Sequence, residues 1–509
     1  MTISEQRTYV PEITTGYTVH DLLRRRAELQ PERVALNVDG VSTITYGAWN
    51  RRASAVARGL IEAGIRPGDI VGLLFDGLDW LDYAAAYLGV LKAGGTATHL
   101  NSALGDGEIM RRLGLCEAAG LVHGQASAPP AGFGGLVATV AELASADDSE
   151  VDVPVTITDI ADILFTSGTT GPAKASTSPH GNLTFERGPE GFVAFGDPEP
   201  LLSPMPMGTT ASATTMSFSI HTPSTLVLSR PEDPERMAEL IEEYQIGSIM
   251  MTPWIAIQML RARVEERHDL SSVVTIANAS SALPPAHARR LLKIMPNARL
   301  NLSYACSEAV PASIGWTFDP DRPMATGQPA RRSEVRIAGP DGEPVPDGEL
   351  GEVWLRCPAP KRYYFRNPEL NARVHAGGWT RTGDLGRIGD DGVLYFFDRG
   401  NVAVRVAGEL VSTVAVEAAL FEHPDVEEAA VFGITGYTGD QELAAALVLA
   451  YPEALGALPA FLRNRLAPAQ VPTRFHLMER MPRSANGKVL KHVLREQLLS
   501  GAAAQARWR

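Results

Sequence analysis

Between Leu164 and Ser176 the chain reads LFTSGTTGPAKAS. An apolar strand runs directly into glycines, hydroxyl side chains and one lysine, Lys174. Such a loop offers many backbone N–H groups and hydroxyl donors in a small space, with a point charge at its end. That combination surrounds phosphate oxygens well. A flexible linker or a tight surface turn would use the same residue types. The loop is not the common P-loop, because Lys174 follows Pro172-Ala173 and no hydroxyl comes directly after it. Other candidates are weaker alone. Glu308 follows the hydroxyl of Ser307 at a strand end but could be a surface carboxylate, and Tyr304 could be a core or rim aromatic. Asp384 lies in a Thr-Gly-Asp triplet, which is also ordinary turn chemistry. Lys488 sits in the polar segment SANGK, where a lysine is usually solvated.

The bulk of the chain bounds what these groups can serve. At 509 residues it suits two or three domains. A hydrophobic content of 45% with 21% charged residues describes a globular protein and excludes a disordered one. The net charge of −13 and the absence of any Lys/Arg-dense run argue against a nucleic-acid partner. Three cysteines, Cys116, Cys306 and Cys357, suit neither a disulfide framework nor a zinc site. The segment MTISEQRTYVPEITTGYTVHDLL pairs no basic region with an apolar core. No uncharged apolar run reaches the roughly eighteen residues of a membrane span. A cytoplasmic location follows as the expectation.

Strands and helices alternate through most of the chain. TITYGAWNRRASAVARGLIEAG is a short strand and an amphipathic helix, DIVGLLFD a buried strand, and LDYAAAYLGVLKAGG a helix with a glycine C-cap. DPERMAELIEEYQI opens with Asp233 as N-cap and Pro234 at the first helical position. SIMMTP, VVTIANAS and ARLNLSY are expected strands, with PPAHARRLLKIMP a helix between the last two. The expected fold class is α/β: mostly parallel sheets flanked by helices. Near residue 330, SEVRIAGPDGEPVPDGELGEVWLRCP adds a small antiparallel portion. The expected division is a large body over residues 1–398 and a small, mobile α+β lid over 399–509.

TSGTTGPAK (166–174) also closely resembles the signature loop of the adenylate-forming ligases: acyl-CoA synthetases, luciferases and peptide-synthetase adenylation domains. SPHGN (178–182), YACSEA (304–309), GGWTRTGDLGRIGDDGVLYFFDR (377–399) and PRSANGKVLK (482–491) resemble further motifs of that family, in the right order. LKAGGTATHLNS (91–102) resembles an early structural one. The resemblance covers essentially the whole chain. It implies attack of a carboxylate on the α-phosphate of ATP, expulsion of pyrophosphate, and transfer of the acyl group to a thiol, first of all that of coenzyme A.

By that resemblance Thr166, Ser167, Gly168, Thr169, Thr170, Gly171 and Lys174 would hold the β- and γ-phosphates. Ser307 would donate to the α-phosphate, and Glu308 would hold magnesium, a hard cation that prefers oxygen. Tyr304 would lie against adenine, Asp384 would accept both ribose hydroxyls, and Arg399 would add a contact from the domain junction. Lys488 would bridge carboxylate and α-phosphate while the lid is closed. Gly408, in RVAGELVS, would let the backbone approach the thiol-bearing arm after the lid rotates.

Departures from the family's pattern cluster away from the phosphates. ASSALPP (279–285) stands where glycines let the backbone come near adenine and acceptor, with Ser280 the candidate contact there. Ala305 replaces the glycine after Tyr304, the hinge residue Asn401 is uncharged, and Met207 stands near the usual His or aromatic gate. Met205, Met207, Met216, Met251, Thr209 and Thr210 either line an acyl pocket or are plain core. No aspartate in MGTTASATT awaits an ammonium group, so a hydrophobic or aromatic acid is the default. Alternatives remain: loading of a carrier-protein arm, activation of an unusual acid such as nitrite for transfer to an amine, or a non-catalytic nucleotide-binding homologue. Oligomeric state is left open.

Overall fold

The structure, a computed structural model, describes residues 16–166, 173–188, 200–278, 280–436, 439–499 and 505–507, without the side chains of 166, 499 and 505–507. Two sheets dominate. In the first, the described strands run in the order Tyr363–Tyr364, Lys174–Pro179, Ile160–Thr166, Thr96–Asn101, Ile70–Phe75, Gly120–His123, Leu136–Thr139. The strands from Ile160–Thr166 to Leu136–Thr139 pair in parallel. Ile160–Thr166 pairs antiparallel with Lys174–Pro179, with Thr166 opposite Lys174. The strands on either side of the Gly/Thr-rich segment are thus paired as a hairpin, and Lys174 begins the second of them. The strand–helix alternation expected for this region holds up to that hairpin.

The second sheet carries the other motifs. Leu201–Ser203, Leu226–Leu228, Ser248–Met251, Thr275–Asn278 and Arg299–Tyr304 are parallel, and Ser313–Thr317 turns back antiparallel on Arg299–Tyr304. Crevices beyond the carboxyl ends of such strands are where α/β sheets place ligands. Between the sheets packs a core that includes Trp49, Trp80, Tyr83 and Tyr87, each at most 1% exposed. Two of its tyrosine hydroxyls are paired. Tyr83 Oη lies 2.7 Å from His99 Nδ1 and 3.1 Å from Ser212 Oγ, and Tyr87 Oη donates to Asp162 Oδ2 at 3.1 Å. A buried phenol needs such partners. Asp162, on the strand that enters the phosphate loop, is thereby fixed to the core.

The antiparallel portion forms as expected, with Glu334–Ala338, Gly351–Arg356 and Trp379–Ile388 adjacent and Leu394–Arg399 paired to Trp379–Ile388. Beyond Arg399 come the hairpin Val404–Val406/Glu409–Val411, the helix Thr413–Leu420, and a sheet built on Val426–Thr435, Gln441–Leu449 and Arg474–Leu477. This tail has apolar clusters of its own. Charged contacts are among those that join it to the rest. Arg261, on the helix Pro253–Ala262, reaches Glu427 at 2.7 Å and Glu428 at 3.0 Å, and Arg289 pairs with Glu422. The rings of His287 and Phe421 meet edge-on, 4.6 Å apart.

Glu428 is 5% exposed and also pairs with Arg483. Glu428→Gln should destabilise the tail by about 1–3 kcal/mol, the cost of leaving charged donors without their acceptor. The lower end is expected, because Arg261 keeps Glu427 and stays partly in water. Calorimetry would show a lower unfolding midpoint; an unchanged midpoint would mean the clasp contributes nothing.

Candidate active site

The strand Arg299–Tyr304 ends in a tight turn, where the Cys306 carbonyl accepts from Ala309 N at 3.0 Å and Val310 N at 3.1 Å. The turn leaves Ser307 and Glu308 half-buried at its rim. The Glu308 carboxylate accepts a hydrogen bond from the Tyr364 hydroxyl. Lys174, the first residue of its strand, lies with Nζ 5.6 Å from the centroid of the same Tyr364 ring. A residue from a two-residue edge strand thus joins the lysine of the phosphate loop to the carboxylate of YACSEA. Ser167, Gly168, Thr169, Thr170 and Gly171 lie outside the described residues, as does the Thr166 side chain.

A second group is set by sheet register. Asp384 and Arg399 are direct cross-strand partners, and Arg399 Nε lies 3.1 Å from Asp384 Oδ1. Tyr304 donates from its hydroxyl to Asp384 Oδ2 at 2.8 Å. Asp384 is only 4% exposed. Burial raises its pKa, opposed by the Arg399 charge and the Tyr304 hydrogen bond. Burial also holds the Tyr304 phenol well above its ordinary value, so it is a proton donor at neutral pH.

Lys488 completes the crevice from the tail. Its loop is closed by Ser484 N donating to Lys488 O at 2.9 Å and Gly487 N donating to Ser484 O at 2.9 Å. Arg483 Nη1 donates to Gly487 O at 2.6 Å. Gly487 has φ +76°, and a Cβ added there would sit 2.8 Å from Trp254 Cβ. The loop is pressed on the helix Pro253–Ala262 where only glycine fits. Lys488 remains solvent-accessible, but the crevice walls cut its hydration. Burial, then the Arg399 charge, lowers its pKa against the opposing pull of Asp384 and Glu308.

The structure therefore gathers Lys174, Tyr304, Glu308, Asp384, Arg399 and Lys488 around one crevice, with Ser307 on the same turn as Glu308. Gly408 lies in the turn of its own hairpin, formed by Ala407 (φ +49°) and Gly408 (φ +89°), where Arg405 donates to Gly408 O at 2.9 Å. Ser280 follows the strand Thr275–Asn278 and is exposed, with φ +82°. The backbone keeps a shape that favours glycine although the residue is serine. Met205, Met207, Met216 and Met251 are at most 4% exposed and belong to the main core. Thr209 caps the helix Thr210–His221, accepting from Ala211 N at 3.2 Å.

Sequence reasoning missed Tyr364, Arg362 and the use made of Asn182. Arg362, 6% exposed, donates from Nε to Asn182 Oδ1 at 2.9 Å, and Asn182 donates to the Val310 and Pro360 carbonyls at 2.7 and 2.8 Å. The only signal was the run KRYYF (361–365), which reads as an ordinary amphipathic edge strand. Among the described residues no cluster of three or more His, Cys, Asp or Glu could hold a metal. One carboxylate, Glu308, beside a phosphate loop fits a hard cation completed by phosphate oxygens and water.

Gly487→Ala should force the loop off Trp254 and displace Lys488 by about 1 Å, a misplacement that can cost on the order of 10²-fold in rate. Its unfolding midpoint should stay near the parent's, because the loop is peripheral to both tail clusters. Parental activity would show that Lys488 does not depend on this contact.

A family model described as AMP-binding enzyme matches residues 23–365, and one described as AMP-binding enzyme C-terminal domain matches residues 415–488. A feruloyl-CoA synthase from Amycolatopsis sp is 29% identical over 493 residues, covering 93% of this chain and 97% of that protein. The solved anthranilate CoA ligase AuaEII, in complex with anthranoyl-AMP, shares the fold with a TM-score of 0.85 at 22% identity, covering 96% of this chain and 99% of that one. The amide bond synthetase McbA from Marinactinospora thermotolerans is 26% identical with a TM-score of 0.78, covering 94% of this chain and 99% of that one. With Lys174, Glu308 and Lys488 drawn into one crevice, this chain belongs to the AMP-binding enzyme family and is an AMP-forming, acyl-CoA synthetase-like ligase.

Proposed function

We propose that this protein joins a carboxylic acid to AMP and then passes the acyl group to the thiol of coenzyme A. The observation that carries the reading is Lys488, held by the tail in the same crevice as Glu308, Asp384 and Arg399. A carboxylate oxygen attacks the α-phosphorus of ATP and the bond to the β-phosphate oxygen breaks, releasing pyrophosphate. Two anions must approach, so fixed cations and donors supply the stabilisation. Lys488 bridges the carboxylate and the α-phosphate. Lys174, with Thr166, Ser167, Gly168, Thr169, Thr170 and Gly171, takes the leaving phosphates, and Ser307 donates to the α-phosphate. Glu308 would hold a magnesium ion, which neutralises phosphate charge when bound.

Asp384 accepts the ribose hydroxyls, Arg399 orients it, and the Tyr304 ring and the Ser280 backbone border adenine. In the second step the tail, residues 399–509 in this reading, rotates on the body of residues 1–398 about Asn401, and Gly408 borders the pantetheine arm. An apolar or aromatic acid is favoured by the feruloyl-CoA synthase relative and by the absence of an acidic residue among 205–216. Transfer to an amine is the second reading, favoured by the 26% identity to an amide bond synthetase.

Acid-dependent exchange of labelled pyrophosphate into ATP, over a panel of aryl, acyl and inorganic acids, tests the first step. No exchange with any acid would overturn it. Product analysis with coenzyme A, a carrier protein and amines then ranks the acceptors. Lys488→Ala should lose adenylation by about 10²–10³-fold yet still convert prepared acyl-AMP to thioester. Equal loss of both halves would dismiss the alternating tail.

Lys488 must be protonated to bridge two anions, and its pKa lies below the ordinary value of about 10.4. Adenylation should therefore fall as pH rises, beginning at a lower pH than an ordinary lysine would set. In Lys488→Arg, whose side chain stays charged, the residual rate should lack that alkaline limb. An unchanged limb would assign it to another group.

A further inference from the structure

Tyr364 stands outside every role described above, yet its side chain touches both Glu308 and Lys174. Its backbone is tied on three sides. It pairs with Ser176 in the sheet register, its N–H donates to Asn371 Oδ1 at 2.7 Å, and its carbonyl accepts from Asn371 Nδ2 at 2.9 Å. The next residue donates from Phe365 N to Ala175 O at 2.8 Å. Tyr363 points to the other face of this short strand, where its ring meets His375 at 5.1 Å. Tyr364, 6% exposed, is thus a rigid reference point and the groups it touches are not. Glu308 stands on a turn, and Lys174 is exposed at a strand end.

We propose that Tyr364 is a positioning residue. Its hydroxyl fixes the Glu308 carboxylate through Oε1, and its ring backs the Lys174 ammonium, so the metal carboxylate and the phosphate-loop cation keep a set separation. The proposal rests on the reading of Glu308 as the magnesium ligand. Without the phenol, a half-buried carboxylate at a turn samples several rotamers, and metal binding must select one of them. Loss of an outer-shell partner of this kind typically lowers metal affinity about 10–100-fold. The ring's face toward the ammonium is a separate, weaker attraction.

The test uses the full chain, with manganese(II) as a paramagnetic stand-in for magnesium and the non-hydrolysable analogue α,β-methylene-ATP. Free manganese is followed by electron paramagnetic resonance, so turnover is not needed. Tyr364→Phe keeps the ring and removes the hydroxyl; manganese affinity should fall about tenfold with an unfolding midpoint near the parent's. Glu308→Gln should fall at least as far, and the double variant no further than Glu308→Gln alone, the signature of two groups acting as one. In acid-dependent exchange, the magnesium concentration for half-maximal rate should rise in Tyr364→Phe while the KM for the acid stays put. Affinity within twofold of the parent, tighter binding, or full additivity in the double variant would overturn the role of Tyr364. If Glu308→Gln itself leaves manganese affinity unchanged, the metal assignment of Glu308 falls instead.

Discussion

The crevice depends on one clasp: Glu428, a tail carboxylate gripped by Arg261 of the body and by Arg483 of the loop that carries Lys488. Away from water the attraction between such charges strengthens, and so does the cost of leaving any of them alone. Arg483 passes the constraint on through its bond to the Gly487 carbonyl, and Gly487 lies against Trp254. Body, clasp, loop and lysine form one mechanical chain. A clasp built on ion pairs can be released and remade. The tail rotation proposed above needs that property.

Inside the crevice, cations and acids are interleaved. Lys174, Arg399 and Lys488 would repel one another without Glu308 and Asp384 among them, and burial raises the price of every unpaired charge. The outcome is visible in opposite displacements: the Asp384 pKa is raised and that of Lys488 lowered, both mainly by burial. The buried Asp384 sits beside cations that remain open to a ligand, an arrangement suited to electrostatic stabilisation of a reacting anion.

Departures from the family's motif residues have different structural weight. Ser280 retains φ +82°, so the backbone course survives the loss of a glycine at a strain of about 1–3 kcal/mol. Met207 is buried at 4% exposure, and Asn101 holds its carbonyl through Nδ2 at 2.6 Å. The gate position is therefore tied to the end of the strand Thr96–Asn101 by its backbone.

Much of this was legible in the order of residues. Element types followed from local pattern: Asp233 caps its helix with Pro234 behind it, as the residues require, and the strands ending at Met251, Asn278 and Tyr304 are short runs between turn signals. The family, and with it the expected roles of Lys174, Glu308, Asp384 and Lys488, could be read because those motifs are contiguous. What could not be read was whatever joins one segment to another. Whether the four methionines line a pocket or fill the core was open in the sequence, and packing put them in the core. The Asp384–Arg399 pairing is a matter of strand register, and Tyr364 reaches Glu308 only because two residues of chain add to the edge of a sheet formed far earlier in the sequence. Side-chain type and spacing determine helices, caps and motif chemistry, since those depend on neighbours along the chain. Partnership across the crevice was decided by tertiary structure, because hydrogen bonds and ion pairs form between groups close in space, and no local signal encodes that closeness.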